Sequence, residues 1–294
     1  MSLTAAERWE QGRTFHHSLY PVERIAAERE QSISVCLPAR ECAGTVGEIV
    51  ERLLPLREAG AIDELVVVDA ASADGTAEIA ARAGATVWQE AELMPGEGPV
   101  LGKGDAMWRA LSKLSGQIVC FIDADTEGFS PHFATGLIGP LVCEPEVSFV
   151  KGFYRRPMLG GDGIEDGEGG GRVNHLMARP ALALFYPELA GVRQPLAGEV
   201  AARRELLEAL PFATGYGVET AMLIDVWRRV GLAGMAQVDL DVHHNRHQSL
   251  AALSPMAATV LATIARRAIE EGRLRDVEVD GPVERPPLRS LSLR

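Results

Sequence analysis

The chain has 294 residues and carries 41 acidic against 29 basic side chains, which gives a formal net charge of −12. Apolar residue types make up 47% of it, enough for a sizeable core. The acidic balance and the lack of a basic tract argue against a nucleic-acid partner. No apolar run reaches the roughly 18 residues that span a bilayer, and the first residues are too polar for a secretory signal. We therefore expect no membrane partner.

The four cysteines favour a reducing, cytoplasmic compartment. None of Cys36, Cys42, Cys120 and Cys143 forms a CxxC pair, and no Cys/His cluster has zinc-finger spacing. Cys36 and Cys120 lie within apolar, strand-like runs, which is typical of buried free thiols.

Strands and helices alternate in the predicted elements of the first 130 residues. After a helical or irregular lead-in (1–30), short apolar runs predict strands over 33–38, 65–69, 85–88 and 118–123. Helical spacing appears from residue 45, over 77–83 and over 105–114. This alternation predicts an α/β fold with a mostly parallel sheet. A mainly helical part follows over 173–275, and the proline-containing tail (276–294) is expected to be irregular.

Polar side chains gather where these strands end, and such edges of parallel sheets bind ligands. The triplet Asp123-Ala124-Asp125 closes an apolar strand. Hard divalent cations take carboxylate oxygens, so one acid could ligate a metal while the other holds ribose or water. A solvated turn is the alternative interpretation. The other polar residues at strand ends are Glu41, Asp69, Ser72 and Asp74.

Two common nucleotide motifs are missing from the sequence. No GxGxxG follows the first strand, and no GxxxxGK[ST] occurs, because Lys103 lies in a plain Gly-Lys-Gly. A dinucleotide dehydrogenase or a P-loop NTPase therefore has little support. The glycine-rich segment 160–171 is predicted to be a mobile loop.

Several polar clusters allow two interpretations each. The histidines of segment 241–247 could complete a metal site with Asp125 or face solvent. Lys151, Arg155 and Arg156 could clamp an anion or form a solvated strand edge. Arg172, after three glycines, suits a phosphate or carboxylate. Residues 215–219 could orient a substrate through an aromatic ring and a carboxylate, or join a loop to a helix.

Eight short motifs occur in a fixed order over roughly residues 30 to 290. They are Leu37-Pro38-Ala39-Arg40-Glu41, Val68-Asp69-Ala70-Ala71-Ser72-Ala73-Asp74-Gly75-Thr76, Gly102-Lys103-Gly104, Asp123-Ala124-Asp125, Tyr154-Arg155-Arg156-Pro157, Gly169-Gly170-Gly171-Arg172-Val173, Gln194-Pro195-Leu196-Ala197-Gly198-Glu199 and Gly215-Tyr216-Gly217-Val218-Glu219. This ordered set resembles the actinobacterial glucosyl-3-phosphoglycerate and mannosyl-3-phosphoglycerate synthases.

The resemblance implies a GT-A fold. A Rossmann-like nucleotide-sugar-binding half (31–150) would be joined to a smaller, mainly helical acceptor half (151–275), usually in a homodimer. It also implies transfer of glucose or mannose, with retention of configuration, from UDP-glucose or GDP-mannose to the 2-hydroxyl of 3-phosphoglycerate. The metal would be Mg²⁺ or Mn²⁺.

The resemblance also implies a role for individual residues. The nucleoside would be held by Pro38, Ala39, Glu41 and Ser72, the base or phosphate by Lys103, and the ribose and metal by Asp123 and Asp125. The acceptor would meet Gly171, Arg172 and Asn174, Leu196 would lie beside the anomeric carbon, and the sugar would contact Tyr216 and Glu219.

The chain departs from the family pattern at three places. Glu41-Cys42 replaces Asn or Asp followed by Glu, and Asn174 replaces Thr. An ungapped comparison with the glucosyl enzymes puts the metal-ligating histidine on Asn245, which is a poor ligand. Because segment 245–248 resembles the mannosyl enzymes instead, we expect His247 to ligate the metal together with Asp125, with His244 as the alternative.

For the mechanism, front-side attack with the departing phosphate as base is our hypothesis, because no carboxylate nucleophile stands beside Leu196 in the sequence. Glu199 or Glu219 as a covalent nucleophile is the alternative. Two other functions stay open: a GT-A transferase with another acceptor, such as a lipid phosphate, and a catalytically silent binding protein.

Overall fold

An eight-stranded sheet organises the part of the chain that the structure, a computed structural model, describes: residues 3–159, 165–166, 170–244 and 249–275. The order across the sheet is β1-β10-β6-β9-β5-β2-β3-β4. Strand β9 runs antiparallel to both neighbours, and every other pair in this sheet is parallel. The strands are β1 (Thr14–His16), β2 (Ile33–Ala39), β3 (Glu64–Asp69), β4 (Thr86–Gln89), β5 (Ile118–Phe121), β6 (Phe149–Arg155), β9 (Val200–Arg203) and β10 (Met235–Val242), with a separate short pair, β7 (Met158–Leu159) and β8 (Glu165–Asp166).

Helices cover both faces of the sheet. They are α1 (Ala5–Arg13), α2 (Val22–Glu28), α3 (Val46–Glu58), α4 (Thr76–Ala83), α5 (Lys103–Ala110), α6 (His132–Cys143), α7 (Arg179–Phe185), α8 (Arg204–Glu208), α9 (Val218–Val230) and α10 (Leu250–Glu270), with a π-helix at Asn174–Ala178. Helices α2, α3, α4 and α6 contribute to one buried cluster, and α1, α5 and α7–α10 contribute to the other. The sheet is therefore the middle layer of three.

Alternation along β2 shows why the strands lie between two helical layers. Val35 and Leu37 belong to one apolar cluster, whereas Cys36 between them belongs to the other. A parallel strand buried on both faces needs apolar side chains at successive positions, and this sequence supplies them. The thiols of Cys36 and Cys120 are free and buried, as predicted. Cys42 is also free and buried, and burial raises its pKa to about 11.

The four strands predicted in the first half are confirmed, with bounds that shift by one or two residues. The fourth ends at Phe121 and not at Asp123. The Ile122 amide still donates to the Cys36 carbonyl (3.1 Å), after which the chain turns away from the sheet. The acid pair therefore lies in a turn beyond the strand.

Two stretches contribute more strand than expected. The lead-in (1–30) contains β1, which pairs in parallel with β10 and forms an edge of the sheet. The part over 173–275 is mainly helical, as predicted, but it also supplies β9 and β10. The predicted tail (276–294) and most of the predicted glycine-rich loop lie outside the described residues. No helix in the described ranges is long and apolar enough to cross a membrane.

Candidate active site

A cleft of about 740 Å³ lies at the carboxyl ends of the central strands. Most of the residues singled out in the sequence line this one cleft. They are Pro38, Ala39, Lys103, Asp123, Asp125, Gly171, Arg172, Asn174, Leu196, Tyr216 and Glu219. Parallel strands place the loops that follow them at one edge, which explains how segments far apart in sequence meet here.

Lys103 links two acids of the cleft. It is the first residue of α5, and its Nζ lies 2.5 Å from Asp123 Oδ1 and 3.2 Å from Glu219 Oε1. Burial lowers the pKa of Lys103, but the charges of Asp123 and Glu219 outweigh burial and raise it overall. Lys103 therefore stays charged and joins the turn that contains Asp123 to the first turn of α9.

The turn that carries the acid pair is fixed from two sides. Thr45 Oγ1 donates to the Ala124 carbonyl (2.6 Å), and a Cβ added to Gly198 would lie only 2.1 Å from the Asp123 carboxylate. Glycine is thus required at 198 by the close approach of this side chain. The acid pair is thus held between the segment that follows β2 and the segment that precedes β9.

A buried polar network lies beneath the acid pair. Tyr154 donates from its hydroxyl to Glu199 Oε2 (2.8 Å), and its ring stacks on His243 with centroids 4.4 Å apart. Nε2 of His243 lies 3.4 Å from Glu199 Oε1 and 3.0 Å from Thr126 Oγ1. Burial would raise the pKa of Glu199, but His243 and Arg156 hold it below its usual value. Glu199 is thus a buried carboxylate whose Oε2 is hydrogen-bonded to Tyr154 and whose Oε1 faces His243 without a hydrogen bond in the described structure.

The carboxylates of the Asp123-Ala124-Asp125 turn fit a hard divalent cation. Burial, then Asp123, then Glu199 raise the pKa of Asp125, so the ionised carboxylate lacks sufficient positive charge around it. A bound Mg²⁺ or Mn²⁺ would supply that charge, and carboxylate oxygens are its preferred ligands. Asp125, with Asp123 beside it, can hold such an ion.

Basic residues from the second half of the chain also line the cleft. Arg172 lines it directly after Gly171, whose φ of 67° is in the left-handed region that favours glycine. Asn174 is buried, and its Oδ1 accepts from the Leu196 amide (3.0 Å). Of the arginines at the end of β6, Arg156 lines the cleft, whereas Arg155 is exposed and does not.

Of the residues predicted for the site, Glu41, Ser72 and His244 do not line the cleft in the described structure. Ser72 Oγ accepts from the Glu41 amide (2.8 Å), and Glu41 Oε1 accepts from the Ala73 amide (2.9 Å). This pair ties the loop after β2 to the loop after β3. His247 lies outside the described residues. His244 is exposed, and its carbonyl accepts from the Glu127 amide (3.0 Å).

The sequence interpretation missed other parts of the cleft. Glu90 lines it and is buried, and burial, with Asp105 and Asp69, raises its pKa to about 7. Helix α10 adds an apolar wall with Leu253, Met256 and Val260. Glu90 carries no motif that could have revealed it. The apolar residues of α10 have ordinary helical spacing, which predicts a helix but not that this helix packs beside the cleft.

The comparisons agree with this architecture. The family model for glycosyl transferase family 2 matches residues 34–163. The glucosyl-3-phosphoglycerate synthase of Mycolicibacterium smegmatis is 44% identical over 261 residues, which is 88% of this chain and 86% of that protein. The enzyme of the same name from Petrotoga mobilis is 39% identical over 268 residues, which is 89% of this chain and 82% of that protein.

Solved structures are similar over nearly the whole chain. The mannosyl-3-phosphoglycerate synthase of Rubrobacter xylanophilus gives a TM-score of 0.85 at 49% identity and covers 93% of this chain and 86% of that one. The glucosyl-3-phosphoglycerate synthase of Mycobacterium tuberculosis, in complex with Mn²⁺, UDP-glucose and phosphoglyceric acid, gives 0.79 at 42% identity and covers 87% of each chain.

The mostly parallel sheet, with an Asp-x-Asp turn at the mouth of its cleft, defines a glycosyltransferase of the GT-A type. Sequence identities of 42–49% that cover most of both chains identify the family within this class. The chain belongs to the family of glucosyl-3-phosphoglycerate and mannosyl-3-phosphoglycerate synthases.

Proposed function

We propose that this chain transfers a glucosyl or mannosyl group from UDP-glucose or GDP-mannose to the 2-hydroxyl of 3-phosphoglycerate, with a divalent metal and with retention of configuration. One observation carries the proposal: a single cleft is lined both by acids that suit a metal-bound diphosphate and by Arg172 with Asn174, which suit an anionic acceptor. The related Mycobacterium tuberculosis enzyme, solved with Mn²⁺, UDP-glucose and phosphoglyceric acid, supports the same ligand set.

We assign the cleft residues from the two halves of the chain to the two substrates. We assign the donor to segment 31–150, where Pro38 and Ala39 would contact the nucleoside and Asp123 the ribose. Glu41 and Ser72 would act through the loops they join, since neither lines the cleft. We assign the acceptor to segment 151–275, where the Arg172 guanidinium can form paired hydrogen bonds with a phosphate or carboxylate.

The chain's own groups prepare the transfer. Lys103 would approach the diphosphate while it still balances Asp123 and Glu219. Leu196 lines the cleft and would lie beside the anomeric carbon, and Asn174 accepts from its backbone amide. Tyr216, which is 56% exposed at the rim, would close over the sugar. A metal held by Asp125, with His247 as the expected further ligand, would stabilise charge that develops on the leaving diphosphate.

Retention without a covalent intermediate is the better-supported route. Glu199 is fully buried, does not line the cleft, and is engaged by Tyr154 and His243. Glu219 does line the cleft but is paired with Lys103. Front-side attack by the acceptor hydroxyl, with the leaving phosphate as base, requires neither. Mass spectrometry after reaction with a 2-fluoro donor tests this, and a glycosyl adduct on either glutamate would refute it.

The overall proposal is tested by turnover. Purified protein, Mg²⁺ and 3-phosphoglycerate are incubated with UDP-glucose or GDP-mannose in turn, and release of the nucleoside diphosphate is followed. We expect turnover with one donor to exceed that with the other. Arg172→Met should raise the KM for 3-phosphoglycerate about tenfold or more. Arg179→Met is the matched control, because Arg179 is an exposed arginine on α7. Turnover only with another acceptor would reassign the second substrate, and binding without turnover of any donor would indicate a silent protein.

We also propose that the enzyme is a cytoplasmic homodimer. The family resemblance supports this, as does an apolar face on α10 that is exposed. Leu250, Leu261 and Ile269 are 65%, 44% and 64% exposed and fall within a roughly 100° arc of that helix. Light scattering after size-exclusion chromatography tests it, and a monomer at micromolar concentration would refute it.

A further inference from the structure

Two histidines and one carboxylate converge at the β1 edge of the sheet. His16 ends β1, His17 begins the 3₁₀ turn His17–Leu19, and Asp241 lies near the end of β10. Nε2 of His17 is 2.7 Å from Asp241 Oδ2, and Nε2 of His16 is 3.3 Å from Asp241 Oδ1. The three ligand atoms, one from each residue, lie within 4.8 Å of one another. None of these residues lines the cleft.

The backbone adopts an uncommon conformation to make this contact. Successive side chains of a strand point to opposite faces, but β1 stops at His16, and the imidazole centroids of His16 and His17 are only 4.4 Å apart. In β10 the register shifts between Asp239 and Val242, and Asp241 has a φ of +66°. Aspartate tolerates this left-handed region better than most residues, though at some cost. The bulge places the Asp241 carboxylate against both histidines.

Neighbouring groups fix the orientation of both imidazole rings. Nδ1 of His16 accepts from the Ser18 amide (3.2 Å) and lies 2.8 Å from Ser18 Oγ. A metal on Nε2 requires the other tautomer, in which Nδ1 carries the proton and donates to Ser18 Oγ. The ring of His17 stacks on that of His132 with centroids 4.0 Å apart. His132 is held in turn by the Leu240 carbonyl (3.0 Å) and by Ser130 Oγ, so it orients His17 and does not compete for the same site. Supporting contacts of this kind are typical around metal-binding histidines.

The spacing and the donor types fit a tetrahedral transition-metal ion. Bonds of about 2.0–2.1 Å from zinc to nitrogen or oxygen place neighbouring ligand atoms roughly 3.3 Å apart. The separations of 2.7 and 3.3 Å join His17 and His16 to different oxygens of Asp241, and the three ligand atoms, all within 4.8 Å of one another, would move closer together around the ion. Two imidazoles and a carboxylate leave one position for water. Imidazole favours zinc over magnesium, which distinguishes this cluster from the oxygen donors of the cleft.

We propose that His16, His17 and Asp241 form a second metal site, which binds Zn²⁺ and lies outside the active-site cleft. The ion joins the edge strand β1 to β10. Two residues beyond Asp241, the chain reaches His243 of the buried network. The zinc therefore stabilises the strand that leads into the floor of the active site, and it takes no part in the transfer itself.

The test measures zinc binding directly. Protein without a polyhistidine tag is stripped with chelator and carries Asp125→Asn, so that the cleft contributes little. We expect equilibrium dialysis to give one Zn²⁺ per chain and expect zinc to raise the melting temperature. His17→Gln and Asp241→Asn should each weaken binding more than about 100-fold, since even supporting residues around a metal change affinity about 10–100-fold. The exposed His175, changed to Gln, is the matched control and should bind as the parent does.

Two results would overturn the proposal: a parent that binds no zinc, or His17→Gln and Asp241→Asn variants that bind as tightly as the parent does. Circular dichroism establishes that each variant is folded. If either is not, His16→Gln, whose side chain is 44% exposed, gives the same test with less disturbance of the packing. Zinc binding is independent of hexosyl transfer, so an inert transferase would leave this prediction intact.

Discussion

Replacing Lys103 by methionine tests the electrostatic balance of the cleft. The substitution keeps most of the side-chain volume but removes the cation that lies between Asp123 and Glu219. Asp125 stands in the same cleft and already has a raised pKa, because it lacks sufficient compensating charge. In the metal-free enzyme, Lys103→Met therefore leaves several carboxylates without their nearest positive neighbour.

The size of the effect follows from the burial of this cluster. Removing one partner of a fully buried ion pair costs about 3–5 kcal/mol. The side chains of Lys103, Asp123 and Glu219 are 29%, 23% and 14% exposed, so water screens part of the interaction. We therefore expect the free energy of unfolding to fall by about 1–3 kcal/mol. The Kd of the nucleoside-diphosphate sugar should rise about 10–100-fold, which corresponds to about 1.4–2.7 kcal/mol.

Urea unfolding in the presence of EDTA measures the first quantity, and calorimetric titration with donor and Mg²⁺ measures the second. Lys113→Met is the matched control, because Lys113 is exposed, does not line the cleft and lies over the face of Trp88 with its Nζ 4.7 Å from the ring centroid. It should lose no more than about 1 kcal/mol and bind donor normally.

The reasoning about Lys103 is wrong if Lys103→Met unfolds at the same urea concentration as Lys113→Met and also binds the donor like wild type. Loss of donor affinity with unchanged stability would instead show that the three side chains contribute to ligand binding but not to the fold.

Three further predictions concern single residues of the cleft. Asp125→Asn should abolish metal-dependent turnover by at least about 10³-fold yet melt no lower than wild type in EDTA, because the ionised carboxyl is destabilised there; a drop in melting temperature would contradict this. Glu90 has a pKa raised to about 7, so wild type should lose stability as the pH rises from about 4.5 to 7, by at most about 3 kcal/mol. Chemical unfolding at pH 5 and pH 8 measures this, and Glu90→Gln should remove the slope. Asn174→Ala should raise the KM for 3-phosphoglycerate and cost about 1 kcal/mol, since the Leu196 amide loses its acceptor; steady-state kinetics with an unchanged KM would contradict this.

The sheet could be predicted from the sequence where strands are short apolar runs bounded by polar residues. Strand β10 was harder to predict, because it lies in a segment that is otherwise mainly helical. Its signal is the alternation of polar residues with apolar ones, namely Gln237, Asp239 and Asp241 with Val238 and Leu240. Strand β9 is four residues long and half alanine, so it has no periodicity to detect. Its antiparallel place between β5 and β6 depends on tertiary packing.

The cleft could be anticipated because acids and glycines follow successive parallel strands, and topology brings such segments together. What the sequence could not supply is which neighbour each polar group meets. Glu41 and Ser72 bond to each other's loop and do not line the cleft. His243 was one of several histidines in a row, and only the fold shows it buried against Glu199.

The pairing of β1 with β10 has a consequence for how the protein is made. Thr14 pairs with Gln237, and the Trp9 indole donates to the Met235 carbonyl (2.9 Å). At about 5–20 residues per second, roughly 10–45 s of synthesis separate the two strands. Throughout that interval the first strand and its tryptophan have no partner in the sheet, and contacts this distant in sequence slow folding. The strand that leaves the ribosome first is therefore among the last to become ordered.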